Sequence, residues 1–167
     1  MEIKNPESFH NKLSFIFHGM LALPLAAFVY LFLEIKDRDL TPAMDNEVFI
    51  PYVIGILLFI STAMVVYGYY RFRRHLREAR NKEGLKTKLE TYYGNAVIFY
   101  AFVEFASVLL VVGLYLTTSS FFIVGFMFLL LMLSLNRPTP QKYISDLHLA
   151  DGEKDIILHK KSFDEDH

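Results

Sequence analysis

The sequence has no cysteine and no tryptophan. Without cysteine there is no disulfide framework, no thiolate metal site and no cysteine nucleophile. Glycine-rich phosphate loops are missing, and the histidines show neither HxxxH nor HExxH spacing, so the chemistry each pattern supports is not expected. Net charge is also nearly absent, at −1 over 167 residues. What the chain has instead is apolar surface: 53% of residues are hydrophobic and 16% aromatic, with mean hydropathy +0.30. That exceeds the share of an ordinary soluble domain.

Four apolar runs organise the chain. Residues 13–33, LSFIFHGMLALPLAAFVYLFL, and 49–70, FIPYVIGILLFISTAMVVYGYY, carry no formal charge. Residues 96–116, AVIFYAFVEFASVLLVVGLYL, hold one carboxylate, Glu104. The fourth run, FFIVGFMFLLLMLSL, is shorter and needs its flanks, giving a span of about 119–135. A bilayer core about 30 Å thick takes roughly 20 helical residues. The first run exceeds a signal-peptide core and is followed by Glu34, Lys36 and Asp37 rather than a small-residue cleavage site, so it reads as a retained span. The expectation is an all-α polytopic membrane protein: a bundle of four transmembrane helices over residues 1–136, and a cytoplasmic tail over 137–167 with short helices.

Charge predicts the threading. The connection 71–88 holds eight basic residues, among them Arg71, Arg73, Arg74 and Arg77, against Glu78 and Glu83. The connection between the first two runs has only Lys36 and Arg38 among five carboxylates, and Thr117–Ser120 has no charge. Basic residues of short loops stay inside. Both termini are therefore expected in the cytoplasm, with 15 of the 17 Lys and Arg on that side, and the plasma (inner) membrane is the expected location. Tyr67, Tyr69, Tyr70, Phe72, Tyr92 and Tyr93 fall where the second and third runs meet the interface, which suits an aromatic belt.

Outside the runs, RFRRHLREARNKEG has helix formers throughout, a Glu78–Lys82 pair at i,i+4, and Gly84 as a stop. The second span is expected to continue as helix to that corner. Arg71, Arg73, Arg74 and Arg77 are candidate contacts for anionic lipid headgroups. The run lies beside the membrane and matches no nucleic-acid motif, so no nucleic-acid partner is expected. Thr139 and Pro140 resemble an N-cap followed by proline at N1, opening a short helix through Tyr143, Ile144 and Leu147. Asp151-Gly152 reads as a turn before Ile156 and Ile157, between two helices or across a β-hairpin. Ser162 to His167 read as an acidic frayed tail.

Glu104 is the candidate for chemistry. Ionised residues near mid-bilayer cost about 2.5–3.5 kcal/mol on insertion scales. Tyr93, Tyr100, Glu104, Ser107 and Tyr115 form one helical stripe. Glu104, Ser107, Tyr100 and His18 are the candidate proton or ion site; the alternative is a neutral Glu that holds the bundle together by hydrogen bonding. Ser61 and Thr62 lie level with Glu104 in the second run, and His18 about one turn shallower. No metal site and no cofactor are expected, since haem would need facing histidines and only His18 lies within a run.

The stretch Phe102-Val103-Glu104-Phe105-Ala106 through Val111-Val112-Gly113 resembles the carboxylate-bearing helix of rotary ATPase proteolipid subunits, where such a Glu carries the translocated ion. The chain lacks the glycine-rich partner helix of those subunits and has a long basic connection, so the rotor role does not carry over. Small four-span multidrug exporters also have a membrane Glu, but in the first helix of shorter chains. Residues 12–19 and 88–94 echo one another ahead of apolar runs, as a duplicated two-helix unit would. No nucleophile–base set is visible, so no enzyme is expected. The expected role is an accessory, assembly or scaffold subunit working through protein contacts, in the lipid bilayer as a homo-oligomer or within a larger membrane complex. The alternative is a proton- or cation-coupled transporter or channel subunit built on Glu104.

Overall fold

Long apolar runs satisfy their backbone polar groups most simply within a helix, and every regular element found is helical. The computed structural model describes residues 5–37, 41–44 and 46–159. Among these residues six helices follow in order: α1 (Pro6–Asp37), α2 (Ile50–Arg80), α3 (Leu85–Thr117), α4 (Ser120–Leu135), α5 (Pro140–Leu147) and α6 (Asp151–Leu158). No strand occurs among the described residues. Three helices, α1 to α3, are long and apolar enough to cross a membrane, and α4 becomes a fourth only when counted with α5 across a bend of 78°.

Helix α3 is the axis of the molecule. The helices α1, α2 and α4 all pack on it, while α1 and α2 scarcely touch each other. α1 and α3 run in the same direction, since Phe9 meets the ring of Tyr92 and Phe17 that of Tyr100, at 6.3 and 5.2 Å between centroids. α1 reaches α4 through Phe28 and Phe126, stacked at 4.1 Å. Two glycines set the approach of the neighbours. A Cβ at Gly68 of α2 would stand 2.8 Å from the Cβ of Phe102, and one at Gly113 of α3 would run into the Phe122 ring of α4.

The helix ends follow from their capping residues. α2 continues unbroken past the apolar run to Arg80, as its helix formers predict. The chain then turns at Gly84, whose φ of +79° suits a residue without Cβ. α3 stops where Thr118 turns left-handed and Thr117 Oγ1 bonds back to the Gly113 carbonyl at 2.8 Å. α4 ends where Asn136 Nδ2 donates to the Met132 carbonyl, ahead of Pro138. Thr139 caps α5, accepting from the Lys142 N–H at 3.2 Å, with Pro140 at the first helical position.

One turn is displaced from its expected place. Asp151 and Gly152 lie in the first turn of α6, and the reversal falls at His148–Ala150. His148 takes the left-handed conformation that ends α5, and Glu153 reaches back to accept the Ala150 N–H at 3.0 Å. That acceptor draws the helix start forward over Asp151-Gly152.

α1, α2 and α3 each extend beyond their apolar runs at the basic end, where α5 and α6 cover them. Phe9 and Leu13 of α1, Leu76 and Ala79 of α2, Leu89 of α3, Tyr143 and Leu147 of α5, and Ile156 and Ile157 of α6 are all buried there. Ile144 is half-buried against the same core. Phe72 and Tyr92 belong to this core too, at 5% and 2% exposure, rather than to an exposed aromatic belt. Tyr67 and Tyr70 do face outward. At the opposite end, the α1–α2 connection is tied to α3: Met44 N–H donates to the Leu116 carbonyl at 3.1 Å and Ala43 N–H to that of Tyr115 at 3.5 Å. The acidic run Ser162–His167, and Arg38, Asp39 and Asp45 of the first connection, lie outside the described residues.

Candidate functional site

Glu104 sits on the face of α3 turned toward α1 and α4. It is half-buried and lines a slot of only about 10 Å³, together with Phe17, Met20, Tyr100, Ser107 and Leu133. Three of the four residues expected to form one site, Glu104, Tyr100 and Ser107, are therefore together. Ser107 is bound to the backbone rather than to the carboxylate: its Oγ donates to the Glu104 carbonyl at 2.7 Å. The Glu104 carboxylate itself has no hydrogen bond or ion pair among the described residues. Met20 lines the slot from α1, one turn before Pro24, whose ring nitrogen carries no N–H.

His18 does not join them. Its ring is exposed, and Nδ1 donates to the Ser14 carbonyl at 2.7 Å within its own helix. Ser61, level with Glu104, is on the far side of α3. It lines a separate groove of about 340 Å³ between α2 and α4, floored by Leu110 of α3. Ser61 is buried there with its hydroxyl unpartnered among the described residues, beside the exposed Thr62.

The basic residues divide into two kinds. Arg74 and Arg77 are exposed on α2. Arg73 is half-exposed; its guanidinium lies 5.8 Å from the centre of the Tyr69 ring and 3.7 Å from Asp146 Oδ1. Arg71 is half-buried, and its carbonyl accepts from His75.

Asp146 is the polar centre that a reading of the basic loop and of Glu104 does not find. Its side chain is 5% exposed, and three helices supply its partners. Tyr92 Oη of α3 donates to Oδ2 at 3.2 Å. Arg73 of α2 and Lys142 of α5 stand 3.7 and 3.6 Å from Oδ1. Arg80 Nε donates to the Asp146 backbone carbonyl at 2.7 Å. Nearby, His10 Nδ1 and Tyr143 Oη are 3.0 Å apart, and Lys88 Nζ pairs with Glu153 Oε1 at 2.7 Å, tying α6 to α3. Burial, and then the charge of Asp146, hold the Tyr92 phenol well above its ordinary value; burial likewise raises Tyr143. The signal for Asp146 was present in α5, where Tyr143, Asp146 and Leu147 share one face at i, i+3 and i+4.

Among the described residues no group of three or more His, Cys, Asp or Glu is arranged to hold a metal ion. Comparisons with protein-family models, curated proteins and solved structures find no match.

Proposed function

We propose that the chain is an integral membrane protein of four spans with both termini, the α2–α3 corner and the α5–α6 tail in the cytoplasm. In this reading it is an accessory, assembly or scaffold subunit that works through protein contacts. The supporting observation is the folded layer at the basic end, where α5 and α6 are fixed to the extensions of α2 and α3 through Asp146 and Lys88. That layer presents Arg74 and Arg77 on α2, Lys86 on α3 and Lys82 in the corner between them at the surface. Preset charges favour an acidic partner surface, because little side-chain and backbone freedom remains to be lost on docking. Chemical crosslinking in intact membranes, followed by purification in a mild detergent, tests this. A partner in fixed stoichiometry should crosslink at the 74–86 surface and be lost in the Arg74→Glu/Arg77→Glu variant. A wild-type protein that crosslinks only to itself would sink the reading.

A second reading, a proton- or cation-coupled transporter subunit, is favoured by the Glu104 carboxylate, which lines the slot between α1, α3 and α4 without a partner among the described residues. A slot of about 10 Å³ is at the lower limit for one water, so a conducting path would need a second copy of the chain. Glu104→Gln keeps shape and hydrogen-bonding capacity while removing titration. Under this reading the variant folds but loses proton- or cation-dependent flux in proteoliposomes, and full flux ends it.

A further inference from the structure

The groove between α2 and α4 is separate from the Glu104 slot and meets the Asp146 layer at Arg73. On α2 its wall runs from Leu58 to Tyr69, and on α4 from Gly125 to Met132. Eleven residue steps of helix span about 16 Å, close to half of a bilayer core about 30 Å thick. The groove therefore has the depth of one leaflet. Its rim residues Val66 and Phe128 are exposed, so it opens sideways between the helices. Its outer end is marked by Tyr69, and the Arg73 guanidinium stands over that ring. An apolar channel one leaflet deep, closed by a cation at the level of the headgroups, matches a chain-bearing anion in length and in charge.

We propose that this groove binds one acyl chain of an anionic phospholipid, with the lipid phosphate held by Arg73. Arg73 is suited to both tasks: half its side chain is exposed, and its long stem can follow the phosphate while Tyr69 supports the guanidinium. The buried Ser61 hydroxyl lies within the wall. An acyl chain asks nothing of it, whereas a ligand with a polar inner end would bond to it. The inference requires the chain to lie in a bilayer but does not depend on the accessory role.

The test is native mass spectrometry of full-length protein released from bilayer discs of equal phosphatidylglycerol and phosphatidylcholine. One phosphatidylglycerol per chain should be retained, at about fivefold preference, the value of one basic residue near an anionic surface. Arg73→Gln should bring the preference to about one. Asp146→Asn should leave it in place, which separates lipid binding from the ion pair within the protein. Arg74→Gln/Arg77→Gln should also leave it, and an equal loss there would mean general attraction to the basic surface and overturn the proposal. Gly125→Phe should expel the lipid by filling the groove, with Thr62→Trp at the rim as the alternative if that variant does not fold. Ser61→Ala should change nothing; loss of binding in it would assign the groove to a ligand with a polar inner end. Equal retention of the two lipids, or a lipid-free dimer with its contact at Thr62, would likewise overturn the proposal.

Discussion

Gly113 packs against the Cδ1–Cε1–Cζ edge of the Phe122 ring, so close that a single added methyl on α3 would occupy the space of the ring. Phe122 is fully buried, and Leu114 beside Gly113 is too, so the ring has little room to retreat. Gly113→Ala should destabilise the α3–α4 contact by about 1–3 kcal/mol, the usual cost of overpacking. Thermal unfolding in detergent would measure it. Phe122→Leu introduced into that variant should recover part of the loss, and a purely additive double variant would refute the contact as the cause.

Asp146 should govern whether the tail stays docked. Asp146→Ala removes the acceptor of Tyr92 and leaves Arg73 and Lys142 facing each other without their carboxylate. The expected cost is about 1–3 kcal/mol, concentrated in α5 and α6. Hydrogen exchange should show 140–158 losing protection while the centre of α3 keeps it. Unchanged exchange in the tail would mean that Tyr143, Leu147 and Ile157 hold it without the polar centre.

Alkaline pH should release the same layer. The folded state keeps Tyr92 and Tyr143 neutral by raising their pKa values, chiefly through burial. The stabilisation is therefore complete below the free phenol value of about 10 and is lost as pH rises from there toward the folded values. Limited proteolysis of 137–159 should accelerate across that window. Tyr92→Phe should weaken the pH dependence, and a wild-type tail equally resistant on both sides of the window would contradict the assignment.

Threading can be read from a chain with no native cysteine to remove. Asn46 and Asn81 are both exposed, at opposite ends of α2. Cysteine at Asn46 should react with an impermeant thiol reagent in intact cells, and cysteine at Asn81 should not. The reverse pattern would falsify a cytoplasmic α2–α3 corner.

The long helices were legible because their signals are local. Uninterrupted apolar runs, the Thr139–Pro140 cap and Gly84 each act within a few residues of themselves. The grouping of Glu104 with Tyr100 and Ser107 was legible for the same reason, since all three ride on one helix. Relations between helices were not. Ser61 matches Glu104 in depth and His18 lies within about a turn of it, but depth along the axis says nothing about rotation around it, and both point elsewhere. Tyr92 shows the limit most clearly. A tyrosine at the end of an apolar run suits an interface, and it becomes interior because the extensions of α1 and α2 and the returning α5 all pack on it there. The Asp146 centre depends on residues 54 and 66 positions apart in the chain, which no local pattern joins.

The bonds from Ala43 and Met44 to the last turn of α3 bear on how the protein is made. The connection between α1 and α2 leaves the ribosome well before Tyr115 and Leu116 exist. Until they arrive, the first two helices have little to hold them together, because their shared neighbour is α3. The third helix then supplies the packing face for both and the carbonyls that fasten their link. Biogenesis of this chain is thus set to pass through a loose two-helix stage that closes at one step, the arrival of α3. Chains truncated before Thr117 should be the species that quality-control proteases remove.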